Sequence, residues 1–141
     1  MVVLDANVLV RGVLGRRVRA LLAAYGDTTE FFAPDVAFEE ARKHLPRVLA
    51  KRHIPVSPAL DLLDTLAEVV RIVDVETYSV FKEPALQRLK HRDAEDWPVL
   101  ATALALGCPI WTEDMDFFGI TGVATWTTDR IELFLQGLRG D

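Results

Sequence analysis

The feature of this sequence that most constrains its fold is a series of short apolar segments that alternate with helical patterns. Residues 2–4, Val-Val-Leu, form the first such segment, and similar segments lie at residues 31–33, 71–75, 109–112 and 123–126. Short, wholly apolar strands are typical of parallel sheets, because helices cover both faces of such a sheet. We therefore expect an α/β fold, a three-layer α/β/α sandwich with a central parallel sheet of four or five strands.

Helical periodicity divides the rest of the chain. Residues 93–106 form a long Ala-rich helical pattern that ends before Gly107, a residue typical of helix C-termini. The helix after the second strand contains Pro46, which is expected to kink or restart it, because proline lacks an N–H donor and its ring clashes with the preceding turn. Further helices are expected from Pro58 and over residues 129–138.

Length and composition limit the classes of protein to consider. A chain of 141 residues, half of them apolar, is expected to form one domain over residues 1–141. The single Cys108 excludes a disulfide framework and a cysteine-based zinc site, and it favours a reducing compartment. The sequence has no apolar run long enough for a membrane span, and its start lacks the features of a signal peptide. We expect a cytoplasmic protein without a membrane partner.

Charge is distributed unevenly along the chain. The formal net charge of −5, from 16 basic and 21 acidic residues, argues mildly against a nucleic-acid partner. Residues 1–92 contain 14 Lys or Arg and 12 Asp or Glu, whereas residues 93–141 contain 2 and 9, respectively. The acidic residues of the last third could form a solvated surface, or several of them could share one site.

Acidic residues lie at the end of the sheet where parallel α/β proteins bind their ligands. Asp5 directly follows the first strand, and Asp114 and Asp116 follow the strand at residues 109–112. Asp96 lies in the first turn of the helix that leads into that strand. Because the carboxyl ends of parallel strands meet at one edge, we expect these carboxylates to lie close together.

Glu39 and Glu40 lie in the first turns of the helix after the second strand, near the same edge. Carboxylates packed together repel one another, and each is pushed towards protonation unless a cation offsets the repulsion. Mg²⁺ and Mn²⁺ prefer carboxylate and water oxygens, and a site of this kind can activate water and stabilise phosphoryl displacement. The acidic positions together therefore indicate a divalent-metal site for phosphoryl chemistry.

Each of these acidic residues, taken alone, also has a structural interpretation. Asp5 and Asp114 could be helix caps or turn formers. Asp96 could belong to a variant of the capping box, and Glu40 could pair with basic neighbours on an exposed helix face. The combination of the four positions is more specific than any one of them.

Three sequence blocks resemble the PIN domain, a family of metal-dependent ribonucleases that includes VapC-type toxins. The blocks are VVLDANVLV at residues 2–10, APDVAFEEARKHL at residues 33–45 and DAEDWPVLATALALGCPIWTEDMDF at residues 93–117. The last block is the most specific, since an acid opens an Ala-rich helix, a short strand follows, and Thr-x-Asp-x-Asp-Phe ends the segment. The resemblance covers nearly the whole chain and implies a sheet with the first strand at its centre.

The resemblance also implies roles for individual residues. The matched positions are the catalytic acids Asp5, Glu40, Asp96 and Asp114, the metal ligands Asp5, Asp96, Asp114 and Asp116, and the orienting residues Asn7 and Thr112. Helix phase favours Glu40 over Glu39 modestly, because Glu40 lies on the flank of the buried stripe of its helix whereas Glu39 points further away. The implied cofactor is Mg²⁺ or Mn²⁺, and the implied activity is that of an endoribonuclease that hydrolyses RNA phosphodiester bonds.

Basic residues near these acids are expected to bind the phosphates of an RNA substrate, although each basic cluster could equally be a solvated face. The residues expected to contact RNA are Arg11, Lys43, Arg47 and Arg92. Many members of the family are toxins restrained by a cognate antitoxin and form homodimers. The resemblance therefore implies RNA as substrate, and an antitoxin protein and a second copy of the chain as partners.

Two other functions are compatible with the sequence. A PIN-like domain could have kept the fold as a catalytically silent binding module. An aspartyl phosphotransferase or phosphatase would also place a nucleophile such as Asp5 after the first strand. Enzymes of that type usually carry a second Asp two residues later, where this chain has Asn7.

Overall fold

The computed structural model describes residues 1–138 and contains a five-stranded parallel sheet. The strands are β1 (Val2–Leu4), β2 (Phe31–Pro34), β3 (Val70–Val73), β4 (Ile110–Trp111) and β5 (Thr125–Trp126). Their spatial order is β3-β2-β1-β4-β5, with β1 at the centre and every neighbouring pair parallel. The predicted α/β fold is therefore confirmed. The final residues of the predicted domain, 139–141, lie outside the described residues.

Eight α-helices connect or cover the strands within residues 1–138. They are α1 (Ala6–Leu14), α2 (Arg17–Tyr25), α3 (Asp35–Lys51), α4 (Val56–Val69), α5 (Val75–Tyr78), α6 (Lys82–Arg88), α7 (Trp97–Leu106) and α8 (Ile131–Gly137). None of the helices in this part of the chain is both long and apolar enough to cross a membrane.

Side chains that alternate along β1 contribute to two hydrophobic cores, one on each face of the sheet. Val2 and Leu4 pack into the core that includes α1, α2, α3, α4 and α8. Val3 packs into the core on the other face, formed with residues of α5, α6 and α7. All three side chains are fully buried. A strand that is buried on both faces must be apolar throughout, which explains the Val-Val-Leu segment.

Helix α3 runs without interruption through Pro46, so the helix does not restart at this residue, as one of the two predicted outcomes required. Ala41, Leu45 and Leu49, which lie on both sides of Pro46 in the sequence, are all buried in the core. Their packing holds the helix together although the proline supplies no N–H donor to the preceding turn. Tertiary burial therefore outweighs the local preference of proline at this position.

Several other boundaries differ from the sequence prediction. Helix α4 begins at residue 56, strand β3 ends at residue 73, helix α7 begins at residue 97 and helix α8 begins at residue 131. Strand β3 ends early because Asp74 caps α5 and accepts a hydrogen bond from Thr77 N at 3.0 Å. Such a cap holds the aspartate in an extended conformation, so the helical turn starts only after it. Helix α7 begins late because residues Ala94–Asp96 form a separate 3-10 turn, which Asp93 caps through a hydrogen bond from Glu95 N at 3.0 Å.

Pro46→Ala should stabilise the protein, since alanine restores the missing N–H donor in the middle of α3. A proline inside a helix costs about 3 kcal/mol relative to alanine, and greater freedom of the unfolded chain offsets part of the gain. We expect the free energy of unfolding, measured by urea denaturation, to rise by about 1–2 kcal/mol.

Pro58→Ala is the matched control for this variant. Residue 58 lies in the first turn of α4, where backbone N–H groups have no partner within the helix. This substitution should therefore change the free energy of unfolding by less than about 1 kcal/mol. A Pro46→Ala protein no more stable than the wild type would show that the proline ring fills space which alanine leaves empty.

Candidate functional site

The carboxyl ends of β1 and β4 lie side by side, because the two strands pair directly with Leu4 opposite Trp111. Asp5 follows β1 and Thr112 follows β4, and Thr112 Oγ1 donates a hydrogen bond to Asp5 Oδ2 at 2.8 Å. Asp5 Oδ1 accepts a hydrogen bond from Ala6 N at 2.7 Å, which caps α1. The structure thus holds Asp5, only 8% exposed, in a fixed orientation at the centre of the sheet edge.

Asn7 and Thr112, the residues predicted to orient the acids, form a hydrogen-bond cluster with Asp5. Asn7 Nδ2 donates to Asp5 Oδ2 at 3.1 Å and to Thr112 Oγ1 at 3.3 Å. Thr112 Oγ1 also accepts a hydrogen bond from Asp114 N at 2.9 Å. The same hydroxyl group therefore fixes the Asp5 carboxylate relative to the start of the turn that carries Asp114.

Three aspartates approach one another beyond β4. Asp114 Oδ1 accepts a hydrogen bond from Asp116 N at 2.9 Å and begins a 3-10 turn over Met115–Phe117. Asp96, Asp114 and Asp116 each offer a carboxylate oxygen, and these oxygens lie within 4.8 Å of one another. Asp5 is not a member of this group of three, although it lines the same cavity as Asp96 and Asp114.

Asp96 lies at the N-terminus of α7 and lines the same cavity as Asp5 and Asp114. Its Oδ2 atom is buried and has no hydrogen-bond donor among residues 1–138. Burial, followed by the negative charges of Asp114 and Asp5, raises the pKa of Asp96 to about 7. A buried carboxylate oxygen without a donor is unfavourable, and a hard divalent cation would satisfy it. The residues present therefore fit such a cation.

Two further acids have raised pKa values. Burial raises the pKa of Asp5, and the charge of Asp114 adds to this effect, while the hydrogen bond from Thr112 opposes it. Burial and then the charge of Asp5 raise the pKa of Glu40. Crowded carboxylates with raised pKa values are typical of functional sites, where a ligand offsets their repulsion.

Acidic and basic residues line one cavity of about 440 Å³. The lining residues are Asp5, Ala6, Asn7, Val10, Glu40, Lys43, His44, Arg47, Asp96 and Asp114. All the basic members come from α3, where Glu40, Lys43 and Arg47 are spaced by three and four residues and so share one helix face. Helix α3 thus contributes both an acid and several basic residues to the same cavity.

The structure distinguishes Glu40 from Glu39. Glu40 lines the main cavity with Asp5 and Asp96, and the same three acids line a smaller crevice of about 20 Å³. Glu39 lines neither of these two spaces. The difference follows from helix phase, because Ala41 and its apolar neighbours turn towards the core and Glu40 borders them.

The four residues predicted to contact RNA lie in three different places. Lys43 and Arg47 line the main cavity, whereas Arg11 lines a second cavity. Arg92 lines neither cavity. Its guanidinium group donates hydrogen bonds to the carbonyl oxygens of Asp116 and Phe118, the latter at 2.6 Å. Arg92 therefore holds the turn that carries the acidic residues.

Sequence reasoning missed Glu113, which ties the acidic turn to its surroundings. Glu113 N donates to Asn7 Oδ1 at 3.1 Å, and Glu113 Oε1 accepts a hydrogen bond from Thr128 N at 2.8 Å. Thr128 Oγ1 in turn accepts a hydrogen bond from the buried Trp111 Nε1 at 3.0 Å. No spacing rule singles out the middle residue of a Thr-x-Asp segment, so the sequence carried no signal for this role.

The sequence of this chain matches a known family over almost its whole length. The family model, described as the PIN domain, matches residues 3–136. This chain therefore belongs to the PIN-domain family. No curated protein matches its sequence significantly.

Several solved structures share the fold at low sequence identity. VapBC2 from Rickettsia felis, bound to a promoter DNA fragment, has a TM-score of 0.71 and 13% identity, over 90% of this chain and 98% of that one. A toxin–antitoxin complex from Klebsiella pneumoniae has a TM-score of 0.64 and 20% identity, over 89% and 97%. FitAB bound to the IR36 DNA fragment has a TM-score of 0.61 and 21% identity, over 91% and 95%.

In a buffer with a chelator, the free energy of unfolding should fall as the pH rises from about 4.5 to about 7.5. The pKa of Asp96 is about 7 in the folded protein, above its ordinary value of 3.8. The folded state therefore keeps a proton that the unfolded state has released. The resulting stabilisation is complete below the lower value and is lost as the pH rises through the higher one.

Urea denaturation across this pH range measures the effect. Asp96→Asn, which cannot ionise, should remove most of the pH dependence, whereas Asp61→Asn, at an exposed position of α4, should leave it unchanged. A wild-type stability that stays level or rises over this range would contradict the crowding of carboxylates in the folded state.

Proposed function

We propose that this chain is an endoribonuclease that hydrolyses RNA phosphodiester bonds and depends on Mg²⁺ or Mn²⁺. The observation that carries the proposal is the buried, unpartnered Oδ2 of Asp96 beside the carboxylates of Asp114 and Asp116. Membership of the PIN-domain family supports it, since proteins of this family are generally nucleases. We include the whole chain, residues 1–141, in one nuclease domain.

The donor set favours a hard cation. Asp96, Asp114 and Asp116 would hold it, and Asp5 would complete the ligand set from the centre of the sheet edge. When bound, such an ion supplies Lewis-acid stabilisation of the reacting phosphate and lowers the pKa of water. Carboxylate oxygens suit Mg²⁺ and Mn²⁺ better than the soft metals that thiolate ligands select.

The chain's own residues would supply orientation, charge and a proton acceptor. Thr112 and Asn7 orient Asp5 through hydrogen bonds at 2.8 and 3.1 Å. Burial and the charge of Asp5 raise the pKa of Glu40, which makes its carboxylate a better proton acceptor for a water molecule. Lys43 and Arg47 line the same cavity and would bind phosphate oxygens of the substrate. No nucleophile from the protein is needed for this hydrolysis.

We further propose that the protein is the cytoplasmic toxin of a toxin–antitoxin pair, with an antitoxin protein as partner and a homodimer as its assembly. Similarity of fold supports the first part, since one of the similar structures is a toxin–antitoxin complex from Klebsiella pneumoniae. The homodimer and the cytoplasmic location rest on what is general among VapC-type relatives.

Asp5→Asn and Asp96→Asn should each reduce Mn²⁺-dependent cleavage of a labelled, randomised RNA oligonucleotide by at least about 100-fold, because metal activation lowers the barrier by several kcal/mol. The initial rate in Mn²⁺, with a chelator as blank, measures the effect. Both variants should fold, since loss of one charge from a crowded set relieves repulsion and asparagine can still cap α1.

Asp61→Asn, which removes one exposed acid from α4, is the matched control and should keep the wild-type rate. Near-wild-type cleavage by either site variant would overturn the assignment of these acids. Wild-type protein that binds RNA but never cleaves it would support the silent binding module. Inhibition of the reaction by aluminium or beryllium fluoride, which would bind at Asp5 in place of a phosphoryl group, would support the aspartyl phosphotransferase.

Glu40→Gln should lower the same cleavage rate by about 100-fold, because it removes a proton acceptor from the cavity. Glu39→Gln is a control that removes the same charge one residue away, outside the cavity, and it should keep the rate within about twofold of the wild type. Equal losses in the two variants, or a larger loss at Glu39, would contradict the assignment of Glu40.

A further inference from the structure

A second cavity, which we call the arginine cavity, contains a cluster of cations. Its volume is about 430 Å³, and it is lined by Arg11, Leu14, Gly15, Arg16, Arg17, Val18, Arg52, Thr128 and Asp129. Four arginines and one acid thus surround this space, in a chain whose net charge is −5. The proposed cleavage chemistry does not use this cavity.

Most of these arginines have no anionic partner within residues 1–138. Arg17 pairs with Glu132 at 3.0 Å. Arg11, Arg16 and Arg52 are exposed, and none of them forms an ion pair with a residue in the described range 1–138. Arg16 and Arg17 also lie where α2 begins, an end at which the helix dipole disfavours cations. Arg11, Arg16 and Arg52 therefore leave this cavity with a positive charge that an anion would offset.

Helix α1 extends from the main cavity of about 440 Å³, which we call the carboxylate cavity because the site acids line it, to the arginine cavity. Asn7 lines the first, and Arg11 and Leu14 line the second. Residues four and seven apart share one helix face. A rise of 1.5 Å per residue puts Asn7 and Leu14 about 10 Å apart along the helix axis. The two cavities therefore follow one another along the same face of α1.

Two other elements make the same connection. Helix α3 contributes Arg47 to the carboxylate cavity, and Arg52, the residue after its last turn, lines the arginine cavity. The turn after β4 contributes Asp114 to the first cavity, and the adjacent Glu113 accepts a hydrogen bond from the backbone of Thr128, which lines the second. Three separate elements thus extend from one cavity to the other.

We propose that the arginine cavity binds phosphates of the RNA strand about two or three nucleotides from the cleaved bond, on the side towards the C-terminal end of α1. The proposal rests on the proposed ribonuclease function and assigns the direction in which the substrate extends. The guanidinium group suits phosphate because its planar set of donors can bind two oxygens at once. Phosphate contacts of this kind carry no base specificity, so the cavity fixes the register of the strand rather than its sequence.

An acidic segment of a protein is the other class of ligand that arginines attract. Protein interfaces, however, also need an apolar centre, and this cavity offers only Leu14 and Val18 as large apolar side chains. Three elements also extend from this cavity to the carboxylate cavity. An RNA strand that is cleaved at the carboxylates could therefore reach the arginines as well. The structure therefore favours RNA over an acidic protein segment.

The double variant Arg16→Gln/Arg52→Gln tests the proposal, because it removes two cations but keeps long polar side chains. Binding of a fluorescent randomised RNA oligonucleotide is measured by anisotropy over a series of salt concentrations, in a chelator so that no cleavage occurs. Each lost phosphate contact reduces the slope of log Kd against log salt by about 0.7, so the double variant should lower it by about 1.4. The affinity at low salt should fall by about 10-fold.

Arg42→Gln/Arg71→Gln is the charge-matched control. Both arginines are exposed and pair with acids elsewhere on the surface, Arg42 with Asp64 and Arg71 with Glu30. This double variant should keep the wild-type slope. Equal slopes for the wild type and Arg16→Gln/Arg52→Gln would overturn the proposal. Unchanged RNA binding together with weaker binding of poly-glutamate would also overturn it and would assign the cavity to an acidic protein segment.

Cleavage in Mn²⁺ provides a second readout and separates this proposal from the ribonuclease proposal. With a long oligonucleotide, Arg16→Gln/Arg52→Gln should raise KM by about 10-fold and leave kcat close to the wild-type value. With a dinucleotide, which cannot reach the arginine cavity, the variant and the wild type should cleave equally well. A variant that is equally impaired on both substrates would contradict the proposed register. If the wild type cleaves no RNA but the variant still lowers the salt slope, the arginine cavity binds RNA and the ribonuclease proposal is wrong.

Discussion

The direct pairing of β1 with β4 is the interaction on which the candidate site depends. With Leu4 opposite Trp111, the residues that follow these two strands emerge next to each other. Thr112 can then donate a hydrogen bond to Asp5 at 2.8 Å and accept one from the backbone of Asp114 at 2.9 Å. A shift of the register by one residue would reverse the faces of every side chain on the strand. One threonine hydroxyl group thus joins an acid near the start of the chain to an acid near its end.

The site concentrates negative charge without using the chain's own cations to neutralise it. Within residues 1–138, none of its acids forms an ion pair. Arg92 and Arg88 hold the nearby turn through backbone carbonyl oxygens, among them those of Phe118 at 2.6 Å and Thr121 at 2.9 Å. These arginines fix the position of the turn but do not pair with the carboxylates, which stay available to a ligand. The two hydrophobic cores that cover the sheet must offset the cost of this arrangement.

The sequence predicted those parts of the site that depend on local rules. Asp5 directly follows one short apolar segment and Asp114 follows another after one residue, and the ends of parallel strands meet at one edge. Helix phase likewise distinguished Glu40 from its neighbour. Long side chains were harder to place, because Arg92 reaches a turn on another element, and only the folded chain shows which atoms it meets. The continuity of α3 at Pro46 has a related cause, since burial of residues on both sides outweighed a strong local signal.

With β1 at the centre of the sheet, basic and acidic residues from distant parts of the chain come together. Elements before β3 supply the basic residues Lys43, Arg47 and Arg52, while Asp96 and Asp114 come from the last third of the chain. Lys43 and Arg47 line the carboxylate cavity together with these two acids, whereas Arg52 lines the mostly basic arginine cavity. A phosphate strand would be attracted by the arginine cavity and repelled by the carboxylates of the other. Neutralisation of the acids by a divalent cation would therefore help the strand to bind as well as to react.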